Sequence, residues 1–170
     1  MVEGASTLPY QVANLRVSSH IQEAGVSTLW WRSVGSTHTA FSTETFLDEL
    51  AAAAGQDPLA MRRALLAKHP RHLAALELAA REAGWGTPLA PGKAGTKRAR
   101  GLAVHESFGT VVAEVVEVTV MPDRSFSVDR VVCAVECGAV VKPDVVRAQM
   151  EGGIGFGLSA ALYSAITVKD

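Results

Sequence analysis

The sequence predicts an α+β fold in which an antiparallel β-hairpin or sheet packs against several helices. Two observations predict it. Between residues 42 and 84, apolar residues recur at helical spacing between capping signals. Between residues 101 and 136, β-branched runs alternate across a Pro-Asp-Arg-Ser turn. A chain of 170 residues suits one domain. With 48% hydrophobic and 19% charged residues, disorder is excluded for most of it. The net charge of −1 provides no global field toward nucleic acid or an acidic membrane. No apolar run reaches the roughly 18 residues of a membrane span. The opening "MVEGASTLPY" has no basic region before an apolar core, so no signal peptide is expected.

Residues 1–30 have short apolar pieces and Pro9 but no helical stripe, which reads as an extended arm. A helix is expected from Ser42 as N-cap, with Glu44, Asp48 and Glu49 early and Phe46, Leu47 and Leu50 as its apolar stripe, ending at Gly55. Asp57 then caps a second helix with Pro58 at its first position; Leu59, Met61, Leu65 and Leu66 can face a core. A third, about 70–84, offers Leu73, Leu76, Leu78 and Ala80, with His69 and His72 solvated at its start. "GTPLAPGKAGTKRARG" reads as a flexible loop whose Lys93, Lys97, Arg98 and Arg100 are solvated; it has no interleaved aromatic to stack on bases.

The strands follow, with Val116, Val118 and Val120 sharing a face, and Phe126, Val128, Arg130 and Val132 sharing a face of the return strand. His105 and Glu106 read as a surface pair, and Cys133 and Cys137 as buried thiols; a lone C-x3-C is a weak metal signal. A last helix is expected from Pro143 or Asp144 to about Tyr163, then a strand over "SAITVKD".

Gly152, Gly153, Gly155 and Gly157 fall inside that last helix. Each costs about 1 kcal/mol against alanine, roughly 4 kcal/mol together. Close approach of another backbone or a bound group would offset this, and so would tight helix–sheet packing. Residues 155–160 formally fit G-x-G-x-x-A, but a helix precedes them rather than a strand, which excludes the dinucleotide-binding fingerprint. The histidines have neither a nucleophile partner nor metal-ligand spacing, so no catalytic residue is assigned.

Two segments, "WWRSVGSTHTAF" and "VVKPDVVRAQMEGGIGFGLSAAL", occur in an order that closely resembles the large, molybdenum-binding subunits of the xanthine oxidase-type molybdenum hydroxylases. That family includes isoquinoline 1-oxidoreductase and the bacterial aldehyde oxidoreductases. The resemblance implies that the whole chain is a partial molybdopterin-binding domain: arm, cofactor loop and helices over 1–85, a loop over 86–100, and hairpin, glycine-rich helix and terminal strand over 101–170. It implies that Arg32, Gly35, Ser36, Gln149, Gly152 and Gly153 lie on the cofactor side. An arginine offers five fixed donors to an oxygen-rich anion, and a glutamine amide both donates and accepts. Stacking of Arg32 on Trp30 or Trp31, and a plain surface position for Gln149, are the structural alternatives.

The resemblance further implies hydroxylation of an electron-poor carbon, in an N-heteroaromatic ring or an aldehyde, with water as oxygen source. The cofactor would be molybdopterin cytosine dinucleotide in the full-length subunit, with none expected on this portion alone. The partners would be an iron–sulfur small subunit and the rest of the large subunit, with no nucleic acid and no membrane span; the parent would be cytoplasmic or periplasmic in a bacterium. The family's general-base glutamate has no counterpart here, since Glu151 is outside its motif, so the chain reads as a portion inactive alone. Apolar surface left uncovered would then drive homo-oligomers. A free-standing, non-catalytic interaction or scaffold domain is the second reading.

Overall fold

A computed structural model describes residues 2–23 and 25–169. The elements are α1 (Ser36–Ala53), α2 (Pro58–Leu65), α3 (Pro70–Glu82), β1 (Lys97–Ser107), β2 (Thr110–Val120), β3 (Phe126–Glu136) and α4 (Pro143–Tyr163). The three strands form one antiparallel sheet in the order β1-β2-β3, so the architecture is α+β. The chain divides into two compact units, one ending at Glu136 and the other beginning at Cys137.

In the first unit, alternate strand residues Leu102, Val104, Val111, Ala113, Val115 and Ala134 are buried, as period-two geometry requires of one sheet face. They join Ala75, Leu76, Ala79 and Ala80 of α3, and Leu47, Leu59, Leu66 and Tyr10, in one core. Asp57 caps α2 as its sequence predicts, accepting the Ala60 N–H at 2.9 Å, with Pro58 in the first turn.

Several expectations are corrected, most of them by contacts distant in sequence. Helix α1 begins at Ser36 rather than after Ser42, whose hydroxyl donates back to the Thr39 carbonyl at 3.2 Å. The buried side of α1 runs through Ser36, Thr39, Glu44, Leu47 and Ala51, leaving Phe46 and Leu50 exposed. The reason is a polar keystone. Arg62 of α2, fully buried, donates through Nε to Glu44 Oε2 at 3.0 Å and through Nη1 to Asp48 Oδ1 at 2.6 Å. Glu44 also accepts from the Tyr10 hydroxyl at 2.6 Å and from the Val104 N–H of β1 at 2.9 Å. Burial, reinforced by the Glu44 carboxylate, holds the Tyr10 phenol far above its ordinary value. One carboxylate thus ties arm, α1, α2 and sheet together, with its charge matched where desolvation is expensive.

On α3, Leu78 is exposed and His72 is buried, because Nε2 of His72 reaches Glu106 Oε2 at 3.3 Å. Glu106 also pairs with Arg71, and His105 is half-buried with its Nε2 shielded from solvent, so the surface-pair reading of His105 and Glu106 fails. A β-bulge sets Val118 opposite Val128 but Glu117 opposite Arg130. The extra residue, Asp129, reverses the side-chain alternation. Phe126 and Val128 therefore lie on the opposite face from Arg130 and Val132.

Strand β1 starts at Lys97, inside the segment expected to be a flexible loop. Arg98 and Arg100 are not solvated there. Both donate to Glu117, at 3.4 and 3.0 Å, and their other nitrogens reach the carbonyls of Ala90 at 3.2 Å and Gly84 at 2.7 Å. Two arginines on a strand thus strap the glycine- and proline-rich loop down.

The second unit is simpler. Pro143 occupies the first turn of α4, Asp144 sits at its positive end, and the helix ends at Tyr163, as its sequence predicts. The expected terminal strand does not form: residues 164–169 are in no ladder among the described residues, since extended chain becomes a strand only against a partner edge; Asp170 lies outside the described residues. Cys133 and Cys137 are free thiols, half-buried rather than buried. Burial pushes Cys133 up to about 11, helped by Glu114 across the ladder.

Candidate functional site

The stretch "WWRSVGST" is a tight turn delivering the chain into α1. Ser33 and Val34 both have left-handed backbones, with φ of 72° and 46°. A β-branched residue there is a genuine outlier, since its Cβ crowds its own carbonyl. The turn is closed by Val34 N–H donating to the Trp31 carbonyl at 3.1 Å and by the Thr37 hydroxyl donating to the Arg32 carbonyl at 2.8 Å. Arg32 itself is exposed, with Trp30 and Trp31 exposed beside it.

Gly35 and Ser36 are placed differently. Both are buried at the start of α1. The Gly35 N–H donates to Glu3 Oε2 at 3.0 Å, and a Cβ on Gly35 would lie 2.6 Å from Glu3 Cβ. A cavity of about 310 Å³ lies alongside, lined in part by Glu3, Gly4, Ser36, His105 and Glu106. Burial holds His105 below its ordinary value, against the upward pull of Glu44 and Glu106. Sequence reasoning misses Glu3. It stands 32 positions from the glycine it serves, and no local signal links the two.

In the second unit, Gln149, Glu151, Gly152 and Gly153 are all exposed on α4, and no described residue of this helix is buried. A methyl group added at Gly152, Gly153, Gly155 or Gly157 would meet nothing within 4 Å beyond the helix itself, among the described residues. The helix therefore presents bare backbone rather than packing it. The six residues divide between the units: Arg32, Gly35 and Ser36 in the first, Gln149, Gly152 and Gly153 in the second.

Taken unit by unit, the polar groups differ in kind. Arg32 offers an exposed cation, Gln149 an amide that both donates and accepts, and the α4 glycines a surface a ring system can approach closely. The Gly35 N–H is not on offer as folded, being engaged by Glu3. No set of three His, Cys, Asp or Glu side chains among the described residues is arranged around a metal ion. No helix among them is long and apolar enough to cross a membrane.

Comparison with known proteins bears on the same segments. Residues 15–170 match the family model described as "Molybdopterin cofactor-binding domain". The chain is 36% identical to the beta subunit of isoquinoline 1-oxidoreductase from Brevundimonas diminuta, over 94% of this chain and 20% of that protein. It is 29% identical to a subunit of nicotinate dehydrogenase from Pseudomonas putida, over 100% of this chain and 15% of that protein. It is 30% identical to a membrane-bound aldehyde dehydrogenase of Gluconacetobacter polyoxogenes, over 91% of this chain and 22% of that protein, whose name specifies pyrroloquinoline quinone. The chain thus spans about a fifth of the length of these curated relatives.

Proposed function

This chain belongs to the molybdopterin cofactor-binding domain family, and from that membership we propose that it forms one part of the cofactor pocket in the large subunit of a molybdenum hydroxylase. The observation that carries the reading is α4: four glycines leave its backbone uncovered, within the residues the family model spans. Arg32 would donate to anionic oxygens of the cofactor. Gln149 would offer it an amide that both donates and accepts, and Gly152 and Gly153 would let it approach the α4 backbone. When bound, the molybdenum centre supplies a two-electron oxidation with water as the oxygen source. The substrate class is an N-heteroaromatic ring or an aldehyde, following the names of the relatives. Ser36, at the buried start of α1, shapes the turn from behind rather than touching the cofactor. No residue of this chain serves as the base, so it is inactive without the rest of its subunit. The cofactor would be in its cytosine dinucleotide form, and the partner would be an iron–sulfur small subunit that accepts the electrons.

The test is cofactor content. The chain with its native flanking sequence, purified from a host that makes the molybdenum cofactor, is expected to carry about one molybdenum and one pterin per polypeptide. Metal analysis and the fluorescence of the oxidised pterin report these directly. Arg32→Ala and Gln149→Ala are each expected to lower that content severalfold. Protein free of pterin, or carrying a quinone instead, overturns the reading.

A further inference from the structure

The turn that presents Arg32 is strained, and something must hold it. Two consecutive non-glycine residues, Ser33 and Val34, sit in the left-handed region, where such conformations persist only when their surroundings over-determine them. From its own segment the turn has the Trp31 and Arg32 carbonyl bonds. The remaining restraint comes from far away in sequence. Glu3 sends its carboxylate to the Gly35 N–H at 3.0 Å, and its carbonyl accepts the Thr39 hydroxyl one turn further along α1 at 2.8 Å.

Two glycines make this approach possible, one on each side. Gly35 leaves room for Glu3, whose Cβ would otherwise meet an added methyl at 2.6 Å. Gly4, at φ +81°, leaves room for the Thr39 hydroxyl, which a methyl there would meet at 2.4 Å. Residues 2–6 are themselves folded into a turn by the Ala5 and Ser6 N–H groups donating to the Val2 carbonyl at 3.0 and 2.9 Å. The contact is therefore a reciprocal clasp between two tight turns rather than a passing touch.

We propose that Glu3 is a positioning residue for Arg32: its carboxylate and carbonyl clasp the start of α1 and so hold the strained Ser33–Val34 turn that aims the arginine. The clasp rests on geometry alone; its consequence for the cofactor rests on the proposed function of Arg32. The arrangement also explains why a glycine stands at position 35. The residue is needed for a contact within the chain, and its N–H is already spent there.

The experiment is hydrogen exchange on the 170-residue chain, read on the peptide spanning residues 31–37 against peptides from the sheet. Losing a hydrogen bond to an ionised group in a part-buried site corresponds to at least about a tenfold change in opening. Glu3→Ala is expected to accelerate exchange over 31–37 by about that factor and to leave the sheet unchanged. Glu3→Gln keeps a carbonyl acceptor on the same stem and is expected to stay within about twofold of the parent. Gly35→Ala is expected to loosen the same peptide, because the added methyl would meet Glu3 Cβ at 2.6 Å. Unchanged exchange over 31–37 in Glu3→Ala, or an equal rise in the sheet, overturns the clasp. In the whole subunit, Glu3→Ala is expected to lower molybdenum content and Glu3→Gln to restore it. Accelerated exchange with full molybdenum content in Glu3→Ala overturns the positioning role while leaving the clasp. Loss of molybdenum in Arg32→Ala with unchanged exchange in Glu3→Ala keeps the proposed function and removes the clasp.

Discussion

The Glu44–Arg62 keystone and helix α4 handle unfavourable chemistry in opposite ways. A carboxylate and a guanidinium are costly to bury, yet the first unit buries both and answers each within the chain: Tyr10, Val104, Asp48 and the Glu44 backbone carbonyl complete the set. Four glycines are costly in a helix, and α4 answers none of them with a buried side chain or a close neighbour among the described residues. The difference separates two kinds of sequence feature. One is a device of the fold. The other is left without an answer among the described residues, and the proposed function supplies one: a bound group.

The largest expected effect tests the first half of that contrast. Arg62→Met removes the guanidinium and leaves the Glu44 carboxylate buried with the Tyr10 hydroxyl and the Val104 N–H as its remaining donors among the described residues. Breaking one side of such a pair costs about 3–5 kcal/mol. Urea unfolding is expected to show that loss, and Arg62→Met combined with Glu44→Gln is expected to recover part of it, since the stranded charge is gone. A loss under about 1 kcal/mol in the single variant would mean that the keystone is not what holds α1, α2 and the sheet together.

The second half is tested by filling the glycines. Replacing Gly152, Gly153, Gly155 and Gly157 together with alanine is expected to favour α4 locally by up to roughly 4 kcal/mol, because the added methyls meet open space. Circular dichroism at 222 nm is expected to rise, while the whole subunit loses molybdenum. A fall in helicity would show that the glycines pack against this chain after all, and the contrast would collapse.

Which features are legible in the sequence follows the same division. The Asp57–Pro58 start of α2, the Pro143 start of α4 and the Pro122–Ser125 turn between β2 and β3 rest on neighbours within a few residues, and appear where local signals place them. The start of α1 and the burial of Glu44, Arg62 and His72 depend on partners up to 60 positions away, as with Val104 and Glu44. The bulge at Asp129 and the strapped loop depend on cross-strand register, which periodicity alone does not reveal. Of the candidate site, the glycine run stands out on helix energetics alone. Arg32 and Gln149 are reached by resemblance, and Glu3 leaves no trace in the local sequence.

The smallest expected effect probes how fully the first unit satisfies its polar groups. His72 and His105 are both held below their ordinary value, first by burial; Glu106 pulls each back up, aided at His105 by Glu44, while His69, Arg71 and His105 press His72 further down. Folded imidazoles that stay neutral bind protons less readily than unfolded ones, whose ordinary value is 6.5. Their contribution to stability is therefore complete above about pH 6.5 and is lost as the pH falls below it. Each histidine can add a slope of at most about 1.4 kcal/mol per pH unit. Stability measured by urea between pH 7 and pH 5 is expected to decline, and His72→Gln with His105→Gln to flatten that decline. A decline unchanged in the double variant would place the acid-sensitive groups elsewhere, and the unit would then be better matched at His72–Glu106 than its burial implies.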